Sequence, residues 1–141
     1  MDTQIDYRQL LMALGDGVVV ANPEGEIVFW NPGAERIFGF AASEAMGKSL
    51  DLIVPEKQRE RHWGGFDKTM QTGQTRYGNE LLRVPALHKE GHPLSIAFTV
   101  AMLHAENGKV SAIVAIVRDE TARWKEERDL RRRIKELEGK E

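Results

Sequence analysis

The order of apolar and polar residues predicts two short strands, a series of helices, three longer strands and a final charged helix. Apolar residues recur at helical spacing over residues 3–14, and Thr3 is a possible N-terminal cap for that helix. Two apolar runs, 18–21 and 27–30, flank turn-forming residues at positions 22–25. This arrangement is typical of a β-hairpin.

A helix is predicted to follow the hairpin. Asn31 can cap this helix, and Pro32 fits its first turn because a residue there needs no N–H partner. Gly39 predicts its end. A longer helix is predicted from 55 to about 72, although the pair Gly64-Gly65 disfavours helix by about 1 kcal/mol per glycine relative to alanine.

One face of this longer helix carries His62, Phe66 and Met70 at positions i, i+4 and i+8. Three alternating segments follow, at 77–87, 94–104 and 109–118, and they are predicted to be strands. The chain is therefore predicted to be an α+β protein. It would have a five-stranded antiparallel sheet, short helices on one face, an N-terminal helix and a C-terminal helix.

The last segment, residues 119–141, has a different composition. It holds eight acidic and eight basic residues, with Leu130, Ile134 and Leu137 spaced by four and three. This pattern predicts a coiled-coil-like connector that favours a homodimer. The predicted division is an N-terminal helix at 1–15, a central domain at 16–118 and the connector at 119–141.

The overall composition excludes several classes of function. The 141 residues carry a formal net charge of −2 and no cysteine, which excludes disulfides and thiol chemistry and gives no reason to expect nucleic-acid binding. No apolar run is long enough to cross a membrane, and the first residues do not resemble a secretory signal. Phosphate-loop, hydrolase and kinase motifs are absent. We therefore expect a cytoplasmic protein that is not an enzyme.

His62 is the most informative candidate for a functional residue. Lys68 follows it by six positions and Arg76 by fourteen. An imidazole on an amphipathic helix can ligate iron, and two nearby cations can bind carboxylates, so this spacing suggests a haem site. The alternative is a half-exposed helix histidine beside two solvated cations. The other histidines, His88, His92 and His104, flank predicted turns without zinc-like spacing and are expected at the surface.

Three motifs appear in order along the chain: Asn31–Gly39, Gly47–Leu50 and Arg118–Thr121. They resemble the PAS family of sensor domains over residues 5 to about 125. The resemblance implies the PAS fold, a sensory function and a C-terminal signalling helix. It is also compatible with an output domain as a partner, such as a histidine kinase or a cyclase.

Within that family, the segment from Val54 to Gly91 is similar to the haem-binding sensors of the FixL and Dos kind. This resemblance implies haem b with iron bound by His62 and propionates contacted by Lys68 and Arg76. An apolar Leu82 stands where oxygen sensors of this kind place a distal arginine, so the gas ligand (O2, CO or NO) or a redox role stays open. The remaining residues expected to line the cavity are Tyr77, Phe98, Val100 and Ile113.

Two alternatives stay open at this point. The same cavity could bind another small apolar or amphipathic ligand. A ligand-free PAS domain with a filled core would serve only dimerisation and interaction. Alternation along the last strand prevents Ile113 and Val114 from both pointing inward and favours Ile113 with Ala115 and Val117 on one face.

Overall fold

The computed structural model describes residues 4–74 and 80–139. Its helices are α1 (Tyr7–Ala13), α2 (Pro32–Phe38), α3 (Ala42–Ala45), α4 (Glu56–Thr72) and α5 (Thr121–Glu138), with a 3₁₀ turn at Leu50–Leu52. Its strands are β1 (Gly17–Ala21), β2 (Ile27–Trp30), β3 (Leu82–Leu87), β4 (Pro93–His104) and β5 (Val110–Asp119).

The five strands form one antiparallel sheet in the order β2-β1-β5-β4-β3. The first and last strands of the chain therefore meet at the centre, where Val19 lies opposite Ala115. A register irregularity interrupts β1 between Val20 and Ala21, and a second one interrupts β4 between Leu103 and His104. The predicted α+β class and the five-stranded antiparallel sheet are confirmed.

Several predicted boundaries need correction. The first helix begins at Tyr7, and its cap is Asp6, whose carboxylate accepts a hydrogen bond from the Gln9 backbone N–H at 3.1 Å. The cap expected at Thr3 lies outside the described residues. The third strand begins at Leu82, and its predicted start at residue 77 also lies outside them.

The two adjacent glycines do not interrupt α4, which runs unbroken for 17 residues. Gly73 ends the helix with φ of 70°, a left-handed conformation that suits glycine. The tertiary contacts of the apolar stripe therefore outweigh the low helix propensity of Gly64 and Gly65.

The hydrophobic core lies between the sheet and the helices on one of its faces. Phe38 of α2 is fully buried, and its ring lies 5.3 Å from that of Trp30. Trp30 is 3% exposed and donates its indole N–H to the Phe40 carbonyl at 2.9 Å. The aromatic pair fixes α2 against the end of β2.

Asn31 is a fully buried polar residue at the start of α2. Its amide oxygen accepts hydrogen bonds from the backbone N–H groups of Val18 (2.7 Å) and Ala34 (2.9 Å). Its amide nitrogen donates to the carbonyls of Leu11 (2.9 Å) and Asp16 (3.1 Å). One side chain therefore caps α2 and joins it to the end of α1 and to the start of β1.

The junction between the sheet and α5 is also hydrogen-bonded. The Ser95 N–H of β4 donates to the Thr121 hydroxyl at 3.0 Å, and the Glu120 N–H donates to the Ser95 carbonyl at 2.8 Å. The Asp119 carboxylate accepts the Thr121 N–H at 2.9 Å. Helix α5 thus starts from a point held by both β4 and β5.

Among the described residues, no helix combines the length and apolar character needed to cross a bilayer.

Replacing Asn31 is expected to destabilise the fold strongly. Asn31→Ala leaves buried backbone donors and acceptors without partners, so we expect the free energy of unfolding to fall by about 3 kcal/mol with an unchanged urea m-value. The matched control is Asn107→Ala, which removes one hydrogen bond in an exposed turn and should cost below about 1 kcal/mol. Equal losses for the two variants would contradict the role given to Asn31.

Candidate functional site

A cavity of about 140 Å³ lies between the helical layer and the inner face of the sheet. Its walls come from all the strands except β2, from α4 and from the segment that precedes α4. The described lining residues are Val19, Ala21, Leu50, Ile53, Val54, His62, Phe66, Val84, Pro85, Ala86, Ile96, Phe98, Val100, Ile113, Ala115 and Val117. All of them except His62 are apolar.

His62 is a half-buried residue with an unusual environment. Its Nδ1 atom is the one buried side-chain nitrogen or oxygen, in the part of the chain that the structure describes, without a hydrogen-bond partner. Desolvation by burial lowers the pKa of His62 below its usual 6.5, and the nearby Asp51 carboxylate opposes that shift. The neutral imidazole is therefore favoured, and this is the form that binds metals.

Neighbouring side chains fix the position of this part of α4. The Trp63 indole N–H donates to the Asp51 carboxylate at 2.7 Å, which joins α4 to the preceding 3₁₀ turn. The Arg59 guanidinium donates to the carbonyls of Val54 (3.1 Å) and Asp51 (3.3 Å). Phe66, one turn after His62, is buried in the core. The imidazole thus belongs to a segment held at several points.

Trp63 also contacts the turn between β1 and β2. Gly25 has φ of 81°, and a Cβ atom on Gly25 would lie 2.2 Å from the Trp63 ring. Only glycine permits this close approach. The aromatic ring of Trp63 lies 4.8 Å from the His62 ring in an edge-to-face arrangement.

The structure brings together four of the residues proposed from the sequence. His62, Phe98, Val100 and Ile113 all line the cavity. Ile113 shares this surface with Ala115 and Val117, so the alternation predicted for the last strand is confirmed.

The other proposed residues are placed differently. Leu82 lies opposite Phe98 at the start of β3, outside the lining, although Val84 and Ala86 on the same strand belong to it. Lys68 is exposed on α4 and does not line the cavity. Arg76 and Tyr77 lie outside the described residues. The ligand-binding roles assigned to these residues stay predictions.

Most of the residues that line the cavity are not indicated by any pattern in the sequence. Leu50, Ile53 and Val54 precede α4 in short turns, where no periodicity distinguishes a cavity wall from ordinary core. Val19 and Ala21 lie in a continuous apolar strand, which reveals burial but not which face meets a cavity. Phe66 follows His62 by four positions, a spacing that indicates a common helix face but not that this face meets a cavity.

The donor chemistry of the cavity fits a haem iron, but its present volume does not fit a porphyrin. A cavity of comparable size, about 150 Å³, accommodates benzene, and a porphyrin contains four pyrrole rings. Haem binding would therefore require the helical layer and the sheet to move apart. Phe66 of α4 is buried, and Trp63 and Met70 pack against the core beside it. Such a movement would therefore disrupt core contacts of α4.

Comparison with known proteins supports one family. The family model described as PAS fold matches residues 5–119. The Oxygen sensor protein DosP of Escherichia coli K12 is 27% identical over 118 residues, which is 84% of this chain and 14% of DosP. The Sensor protein FixL of Bradyrhizobium diazoefficiens is 34% identical over 55 residues, 39% of this chain and 11% of FixL. The chain thus spans a small part of these relatives.

A solved structure shares the architecture. The crystal structure of the PAS domain of a protein from Colwellia psychrerythraea aligns with a TM-score of 0.72 at 22% sequence identity. The alignment covers 82% of this chain and 95% of that domain. At this identity the likeness establishes the fold alone.

The lowered pKa of His62 predicts a pH dependence of stability. Because the unfolded state binds the proton more readily, the free energy of unfolding should fall as the pH drops below about 6.5 and continue to fall until the folded state is also protonated. His62→Gln should flatten this dependence in urea titrations between about pH 7.5 and 5. The control is His104→Gln at an exposed turn, which should keep the slope of the unchanged protein. If His62→Gln keeps the full pH dependence of the free energy of unfolding, another group causes that dependence.

Proposed function

The chain belongs to the PAS family, and from that premise we propose that it is a cytoplasmic sensor module that binds haem b through His62. The proposed signal is a diatomic gas or a change in redox state. The observation that carries the proposal is the buried, unpartnered Nδ1 atom of the one polar residue among the described lining of the cavity. An iron bound to this nitrogen would give it a partner and would offset the cost of burying it.

Different residues would bind the iron and the propionates of haem. His62 supplies a neutral nitrogen donor from the α4 side of the cavity. Lys68, exposed less than two turns later on α4, can place its ammonium group beside a propionate near solvent. The family resemblance implies that Arg76 contacts the second propionate.

The sheet side of the site is apolar. When bound, haem b supplies an iron with a coordination position open to a small gas. Phe98, Val100 and Ile113 offer no hydrogen-bond donor there, and Leu82 at the neighbouring strand position offers none. The described residues therefore favour CO or NO, which need no donor, over O2. The similarity to the Oxygen sensor protein DosP supports gas sensing as the general role.

Signal output is proposed to pass through β5. The same strand carries Ile113 at the cavity and ends at Asp119, directly before α5. A change in the cavity that moves β5 relative to β4 alters the hydrogen bonds of Thr121 and Ser95. A ligand shifts this equilibrium only by the difference between its affinities for the two arrangements. As a sensory module, the domain needs no catalytic group of its own.

Dimerisation is proposed through the two terminal helices. The seam residues of α5, Leu130, Ile134 and Leu137, are 59%, 54% and 66% exposed. In α1, Tyr7 and Leu10 are 72% and 48% exposed. Exposed apolar residues at helical spacing on both helices are typical of a surface that is covered by a second copy.

The main test of the proposed function is reconstitution with hemin. We expect the purified protein to bind hemin in a 1:1 ratio and to show a Soret band, because a neutral imidazole is available in the cavity. His62→Ala should abolish the axial ligation and shift or remove that band. His104→Ala is the control and should bind hemin like the unchanged protein.

Two further results bear on the same proposal. Lys68→Ala should weaken hemin binding several-fold, whereas Lys57→Ala, on the first turn of the same helix, should not change it. A protein that stays colourless with hemin, or a Soret band unaltered by His62→Ala, would exclude haem as the ligand of this cavity.

A second candidate function has one specific observation in its favour. The cavity as described is apolar, and at about 140 Å³ it suits a small apolar molecule without any rearrangement. If hemin does not bind, mass spectrometry of the denatured protein should reveal a small apolar metabolite. Absence of both ligands would leave a PAS domain that serves dimerisation alone.

The proposed dimer is tested by charge substitution in the α5 seam. Ile134→Glu should shift the protein from dimer towards monomer in analytical ultracentrifugation, because it places two carboxylates in an apolar contact. Arg132→Glu, at an exposed position on the side of α5 away from the seam, introduces a glutamate outside the apolar contact and should leave the dimer intact. A monomeric parent protein at all concentrations would contradict the proposal.

A further inference from the structure

Two of the four histidines lie together at the turn between β3 and β4, away from the cavity. The rings of His88 and His92 are stacked, with centroids 4.2 Å apart and an interplanar angle of 18°. The carboxylate of Glu90 lies 4.0 Å from Nδ1 of His92. Each of the three residues offers a ligand atom, and these atoms lie within 4.8 Å of one another.

We propose that His88, Glu90 and His92 form a binding site for a divalent transition-metal ion such as Zn²⁺. Two imidazole nitrogens are borderline donors that suit Zn²⁺, Ni²⁺ or Cu²⁺ rather than Mg²⁺ or Ca²⁺, and a carboxylate oxygen is a common additional ligand of Zn²⁺. Three protein ligands leave at least one position for water, which a turn at the surface can supply. The spacing of His88 and His92 alone does not indicate zinc, whereas the carboxylate of Glu90 between them supplies a third donor.

The backbone of this turn is well ordered by its own hydrogen bonds. The His88 N–H donates to the His92 carbonyl at 3.1 Å, and the Gly91 N–H donates to the His88 carbonyl at 2.9 Å. Gly91 has φ of 91°, which lets the chain reverse within these few residues. The two histidines are therefore cross-strand neighbours on a preformed scaffold, and binding requires no strand to move.

The turn is also fixed to the helical layer. The Lys89 N–H donates to the Phe38 carbonyl at the end of α2 at 2.8 Å. Its ammonium group pairs with the Glu44 carboxylate of α3 at 2.6 Å, so this cation is directed away from the proposed metal. The His88 ring packs over Gly39, where an added Cβ atom would lie 2.6 Å from Nε2.

A hydrogen bond within the turn indicates the donor atom of His88. Its Nδ1 atom accepts the Glu90 N–H at 3.1 Å. A nitrogen that accepts an N–H carries a lone pair, so the neutral ring already has the tautomer that coordination through Nδ1 needs. The metal would replace this hydrogen bond, and the exposed side chains of Glu90 and His92 would rotate towards it.

The site also has a physical connection to the cavity. Strand β3 contributes Val84 and Ala86 to the cavity lining, and β4 contributes Ile96 and Phe98. A metal ion held by His88 and His92 would tie the adjoining ends of these two strands. It would thereby stabilise the folded state by an amount that grows with the logarithm of the metal concentration above the Kd.

The experiment measures thermal stability of the tag-free protein, without haem, in the presence of Zn²⁺. A saturating concentration should raise the Tm by about 4 °C. His92→Gln removes one ligand at an exposed position without disturbing the core, and it should reduce this rise to below about 1 °C. Glu90→Gln should give an intermediate rise, and Mg²⁺ at the same concentration should give none.

Two controls assign the effect to this turn. His104→Gln, an exposed histidine at the end of β4, and His62→Gln in the cavity should both keep the full rise. Electron paramagnetic resonance with Cu²⁺ should show coupling to two nitrogens in the unchanged protein and to one in His92→Gln. No rise in the unchanged protein, or an equal rise in His92→Gln, would overturn the site.

Discussion

The hydrogen bonds of the buried Asn31 amide are the constraint on which the rest of the structure depends. A buried amide without partners would destabilise the fold, whereas this amide is bonded to four backbone groups. Its bond to the Val18 N–H fixes the start of β1, and the alternation of that strand then directs Val19 and Ala21 into the cavity. The same side chain sets where α2 begins. A polar group thus determines the shape of an apolar site.

The lining of the cavity includes one polar side chain, that of His62, at a position where an apolar side chain would pack more favourably. Burying the Nδ1 atom of His62 without a partner opposes folding, and the surrounding Phe66 and Trp63 hold the ring in place. Structural residues are rarely left in this condition, whereas binding residues often are, because the ligand completes their hydrogen bonding or coordination. This contrast supports the proposal that the cavity binds a ligand.

Much of the fold follows from local sequence patterns, and much of the site does not. The Asn31 cap, the Gly39 and Gly73 helix ends and the alternation of Ile113 depend on residues close together in the chain, so the sequence contains their signals. Whether Leu82 or Val84 reaches the cavity depends on strand twist and on how α4 packs, which no local pattern encodes. The meeting of His88 with His92 similarly follows from the turn geometry.

The exposure of α5 has a mechanical consequence. None of its 18 residues is buried, and all of them are described, so its direction is determined mainly by the bonds at Thr121. A helix of this length extends about 27 Å from its origin. A tilt of about 5° at the sheet would therefore displace its far end by about 2 Å, on the scale of known interface shifts. A small change in the hydrogen bonds at this junction would therefore be amplified along the length of α5.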